Sequence, residues 1–146
     1  MRGDIKPVLR TISDVAIIVA VTCALAYSMG AVTGFPKGMD AYGHLTKTRI
    51  VLHYFPHVDW NPFWDSGVPL FAWSYPPTFF LLSALLTRAR GWSMEFTYHL
   101  LTLSSLSVAG LGFYGFVYVT THKRWVALTT PLLALSAPAF WSWWIY

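Results

Sequence analysis

The chain has 146 residues, of which 55% are hydrophobic, 18% aromatic and 11% charged, with a mean hydropathy of +0.49. An ordinary soluble domain carries about 25% charged residues, so the composition excludes a soluble fold and predicts an all-α membrane protein. The single cysteine, Cys23, excludes a cross-linked scaffold and the apolar fraction excludes disorder. The ten Lys and Arg behind the net charge of +4 are scattered singly or in pairs, so no nucleic-acid partner is expected and the excess reads as the topological bias of cytoplasmic loops.

The first predicted span covers 12–32, a run with Asp14 as its only charge, long enough to cross a hydrocarbon core of about 30 Å. Arg2, Lys6 and Arg10 precede it and favour a cytoplasmic N-terminus. Ala24-Leu25-Ala26 has the small-residue pattern of a signal-peptide cleavage site, but the run continues to Val32, which favours a retained helix. An outer loop with one or two interfacial helices is predicted over 34–92, a second span over 96–120, and a third over 125–146. His122-Lys123-Arg124 between the last two marks a short cytoplasmic turn. Pro131 and Pro138 interrupt the third span, which a membrane helix tolerates where neighbouring groups satisfy the freed carbonyls. Phe71 to Thr87 is apolar but split by Tyr75-Pro76-Pro77, leaving Thr78 to Thr87 as helix former, too short to cross. An outer-face helix there keeps Lys123-Arg124 cytoplasmic, so about three spans are favoured over four, in a single module covering 1–146.

Three of the six acidic residues (Asp40, Asp59, Asp65) and three of the five histidines (His44, His53, His57) fall in the outer loop. Lys37 to Asp40 reads as a turn ending in an N-cap aspartate, followed by a helix over Ala41 to Phe55 with Asp40, His44 and Lys47 on one face. A carboxylate and an imidazole one turn apart suit proton transfer or a shared divalent metal, and a lysine beyond them suits a phosphate. Capping alone accounts for Asp40 equally simply, and an exposed interfacial position accounts for His44. Pro56 ends the helix and separates His53 from His57. Asp59 to Leu70 is dense in turn formers and aromatic rings, a rigid loop whose tryptophans suit either sugar stacking or anchoring at the interface. Gly110-Leu111-Gly112-Phe113-Tyr114-Gly115 matches a dinucleotide fingerprint formally but lies within a predicted membrane helix, where its glycines read as a close-packing face.

The order of parts, a first span, then Gly38-Met39-Asp40-Ala41-Tyr42-Gly43-His44-Leu45, Asp59-Trp60-Asn61-Pro62, Gly67-Val68-Pro69-Leu70 and Tyr75-Pro76-Pro77, then an outer helix, resembles the N-terminal part of membrane glycosyltransferases of the GT-C fold. Within that superfamily it is most similar to bacterial and archaeal membrane proteins labelled as related to 6-pyruvoyl-tetrahydropterin synthase. The resemblance implies sugar transfer from a polyprenyl-phosphate-type donor to an acceptor on the non-cytoplasmic face of a prokaryotic plasma membrane. It implies a catalytic role for Asp40, as general base or as ligand to a divalent metal such as magnesium or manganese, with His44 assisting. Lys47 and Arg49 would offset phosphate charge, and Trp60 and Asp65 would complete a substrate-binding set.

Such enzymes usually carry a second acidic motif in the next outer loop and many further spans, whereas this sequence stops at Tyr146, where that loop would begin. The resemblance therefore implies a piece of a longer enzyme, completed by its C-terminal part, or a shortened relative without catalysis. The competing class is a non-catalytic small membrane subunit packing against other subunits of a larger complex.

Overall fold

The structure is a computed structural model, and it describes residues 6–28, 34–36, 41–57, 60–61, 68–69 and 77–137. Five helices, α1 (Lys6–Ser28), α2 (Ala41–Tyr54), α3 (Thr78–Arg90), α4 (Met94–Thr121) and α5 (Arg124–Ser136), dominate the described residues. Among the described residues the one sheet element is a two-residue antiparallel pair, β1 (Trp60–Asn61) with β2 (Val68–Pro69), in the register Trp60 to Pro69 and Asn61 to Val68. Two helical stretches, Leu9–Ser28 and Met94–Thr121, are long and apolar enough to cross a membrane, and only 22% and 17% of their apolar windows are buried. Their outward surface is therefore greasy: Val108, Phe116 and Val119 on α4 are about as exposed as Leu133 on α5. In water that surface would be strongly unfavourable.

The helix boundaries follow local chemistry. α2 stops at Tyr54, two residues before Pro56, as a ring without an N–H requires. α3 begins directly after Pro77, whose carbonyl accepts from Leu81 N–H at 3.0 Å, and it closes on Gly91 in the left-handed region (φ 66°), whose N–H donates to the Thr87 carbonyl. With 13 residues, α3 is about 20 Å long. Ser93 caps α4 by accepting from Phe96 N–H at 3.1 Å. α4 ends at His122 (φ 54°), whose N–H donates to the Tyr118 carbonyl, and α5 restarts two residues later. Of the predicted third span, α5 covers Arg124–Ser136, and residues 138–146 lie outside the described ones. α1 begins earlier than the hydropathy run suggests and continues unbroken through Ala24-Leu25-Ala26.

The chain divides into two compact units, 1–33 with 102–146, and 34–101, where the sequence alone reads as one module. In the first, α1, the later part of α4 and α5 pack around Ile18, Thr22, Leu106, Ala127, Leu128 and Leu135. Gly110 sits where all three meet: a methyl group there would lie 3.0 Å from Ile18 Cγ2 and 3.1 Å from Leu135 Cδ1. Gly112 and Gly115 face open space, so the close-packing face expected of the glycine run reduces to Gly110 among the described residues. Gly110→Ala is expected to lower thermal stability by about 1–3 kcal/mol through overpacking, with Gly112→Ala unchanged or slightly more stable. Parallel melting curves of the two variants in detergent check this, and equal curves would refute the contact.

In the second unit, α2 packs on α3 through Ile50, Val51, Phe80 and Ala84, with Leu52 and Leu81 against them. A smaller cluster joins Ala41 and Leu45 to Tyr98, Phe79 and Met94. His99, buried on α4, places Nε2 2.9 Å from the Gly34 carbonyl oxygen, so its ring is satisfied by loop backbone.

Candidate functional site

Asp40 and Asp65 lie outside the described residues, and of Trp60 only the backbone is described. α2 begins at Ala41, the residue after Asp40, as the N-cap reading requires of the helix. β1 and β2 pair antiparallel and bring the backbone at Trp60–Asn61 beside that at Val68–Pro69, while residues 62–67, on which the rigid-loop expectation falls, lie outside the described ones.

His44 is half-buried, one turn into α2, with its ring centroid 5.3 Å from that of Phe79 and 6.4 Å from that of Tyr98. Phe79 and Tyr98 meet edge to face at 5.2 Å, so the imidazole belongs to a three-ring cluster built from α2, α3 and the start of α4. Its backbone carbonyl accepts from the buried Thr48 hydroxyl at 2.9 Å. Lys47 turns the same way: its ammonium stands 5.7 Å from the centroid of the Phe80 ring, a cation–π contact with α3. His44 and Lys47 thus share the α3-facing side of α2, as the helical spacing predicts.

Arg49 does not join them. It is exposed on the other side of α2, where Thr46, Arg49, Ile50, His53 and Tyr54 line a cleft of about 440 Å³. His53 Nδ1 lies 3.0 Å from the Arg49 carbonyl oxygen, which places a proton on Nδ1 and leaves Nε2 of the neutral ring as an acceptor. The structure therefore separates the basic candidates into a ring-packed pair, His44 and Lys47, and an open pair, Arg49 and His53. α2 ends before Pro56, and His57 follows it in a turn, its N–H donating to the Tyr54 carbonyl, so His57 is not part of the helix that carries His53.

Among the described residues no three His, Cys, Asp or Glu side chains converge to hold a metal ion. His44, which the sequence suggests as the assisting group, has the Phe79 and Tyr98 rings beside it.

A second polar centre, in the first unit, was visible only as a lone charge in a span. Asp14 is 1% exposed and takes a bidentate ion pair from Arg124, with Nη2 to Oδ1 at 2.6 Å and Nε to Oδ2 at 2.9 Å. Tyr114 donates its hydroxyl to Oδ2 at 2.8 Å. The three helices each contribute one member, so the carboxylate is fully engaged where an unpaired one would be very costly. Arg124 reads in the sequence as a topological charge; the structure makes it a partner as well. Its guanidinium also stands 5.3 Å from the Trp125 ring centroid.

No family model, curated protein or solved structure matches this chain.

Proposed function

We propose that the chain is the N-terminal module of a GT-C-type membrane glycosyltransferase. α1, α4 and the segment begun by α5 serve as three spans, with the N-terminus and the Lys123-Arg124 turn cytoplasmic and the 34–92 segment on the opposite face. The observation that carries the reading is the makeup of that outer segment. A helix starting one residue after Asp40, a paired Trp60/Pro69 turnback and a Pro-led helix α3 follow one another between two helices of membrane-spanning length.

In the transfer step an acceptor hydroxyl oxygen attacks the anomeric carbon of the lipid-linked sugar. The bond from that carbon to the phosphate oxygen breaks, and the polyprenyl phosphate leaves with the electron pair. Asp40 takes the acceptor proton. Arg49, exposed and without an acidic partner among the described residues, offsets charge on the departing phosphate from the α2 cleft it shares with His53. Lys47, held against Phe80, acts more through packing than the sequence suggests.

The test is sugar transfer from polyprenyl-phosphate donors by the chain in its native membrane complex. Asp40→Asn is expected to lower turnover by about a hundredfold or more while insertion is unchanged. Unchanged turnover would remove Asp40 from the chemistry, and turnover that survives chelation would make Asp40 a base rather than a metal ligand. A non-catalytic subunit is the competing reading, and one observation favours it: the His44 ring packs against those of Phe79 and Tyr98. Complete inactivity of the intact complex toward every donor, with normal assembly, would decide for the subunit.

A further inference from the structure

An apolar recess of about 610 Å³ lies between the end of α2 and α3. Val51, Leu52, Phe55 and Pro56 form one wall, Leu81, Ala84 and Leu85 the other, and Arg88 stands at its edge as the one charged group in the lining. Phe55 and Leu85 are 59% and 61% exposed at its mouth, and Leu82 beside them is 43% exposed. Arg88 has no acidic side chain in reach among the described residues. Among the described residues the wall is hydrocarbon and its one charged group is a cation with no acidic neighbour, a combination that suits an amphiphile with an anionic head.

Chain connectivity places this cleft at a membrane surface. Arg88 precedes Met94, the first residue of α4, by six positions, at most about 20 Å of chain. If α4 crosses the bilayer, the end of α3 is held at headgroup depth. The neighbouring residues have the chemistry of that depth: Arg90 stands 5.8 Å from the Trp92 ring centroid, and Trp92 packs edge to face on Phe96.

From these observations we infer that the α2–α3 cleft is a binding site for a bilayer phospholipid of net negative charge, one acyl chain lying along Val51, Leu81 and Leu85 and the phosphate on Arg88. The volume falls within the range of small-molecule sites, about 300–1,000 Å³, and matches one chain better than a many-unit polyprenyl tail. The inference rests on α4 crossing the membrane and is independent of any transfer chemistry, because its readout is lipid retention.

The full chain, purified in mild detergent with defined mixtures of phosphatidylglycerol and phosphatidylcholine, is examined by native mass spectrometry. One retained phosphatidylglycerol is expected in preference to phosphatidylcholine. Arg88→Ala is expected to lower that retention about tenfold, and Arg88→Lys to restore part of it. Leu85→Trp, which narrows the mouth at an exposed position, is expected to reduce retention of both lipids. Circular dichroism confirms that each variant is folded. Equal retention of the two lipids, or a preference that survives Arg88→Ala, would overturn the site. Arg88-dependent retention of a polyprenyl phosphate without phosphatidylglycerol would assign the cleft to a different lipid and overturn it equally.

Discussion

Replacing Arg124 by leucine is expected to lower the stability of the folded chain by about 3–5 kcal/mol, the range seen when one member of a buried ion pair is removed. The size follows from asymmetry within the pair. Asp14 is 1% exposed while the Arg124 side chain is 35% exposed, so losing the arginine strands a carboxylate that has no route to water. Losing the carboxylate leaves a guanidinium that reaches the aqueous edge along its own stem. Asp14→Asn is therefore expected to be milder than Arg124→Leu, and Tyr114→Phe milder still, at about 1 kcal/mol for one hydrogen bond. The double variant Asp14→Leu with Arg124→Leu is expected to recover much of the loss, since two apolar groups can replace a buried pair with little penalty. Melting temperatures of the parent, Asp14→Leu, Arg124→Leu and the double variant in one detergent form the cycle. A double variant no more stable than Arg124→Leu would show that the pair is not the source of the effect.

Phe80→Ala is expected to cost about 3–5 kcal/mol in the α2–α3 unit. Phe80 is fully buried, and its ring contacts the Ile50, Val51 and Ala84 cluster on one side and the Lys47 ammonium on another. Truncation opens a cavity and at the same time frees the lysine from its aromatic partner. Leu82→Ala, two positions along the same helix and 43% exposed, is the matched control, expected to fall within about 0.5 kcal/mol of the parent. Amide hydrogen exchange resolved by segment tests the placement: protection is expected to fall over Ala41–Tyr54 and Thr78–Arg90. Unchanged exchange in those two helices would contradict the packing described for Phe80.

Helices were the legible part of this sequence because their signals are local. The helix expected over Ala41 to Phe55 is α2 (Ala41–Tyr54), and the one expected over Thr78 to Thr87 is α3, extended by one turn to the Gly91 cap. Two apolar runs also appear as helices of membrane-spanning length, displaced by a few residues because hydropathy marks where a segment is greasy and not where its backbone bonds begin. What escaped the sequence depends on partners far away in the chain. Nothing near Asp14 announces Arg124, and nothing in the Gly110–Gly115 run says that Gly110 alone meets Ile18 and Leu135. The same holds for His44: helical spacing puts it on a face with Lys47, but that Phe79 and Tyr98 pack beside it is decided by α3 and α4.

The Asp14–Arg124 pair spans 110 positions, and this separation sets an order of events during biosynthesis. At translation speeds of about 5–20 residues per second, a new chain carries Asp14 without its counter-ion for on the order of 10 s. If α1 crosses a membrane, it holds through that interval a carboxylate without this partner, and such a carboxylate resists release into lipid. Emergence of Arg124 removes the obstacle. The last described helix to be made thus carries the counter-ion of the first, so the charge balance of α1 is complete only once nearly the whole chain exists.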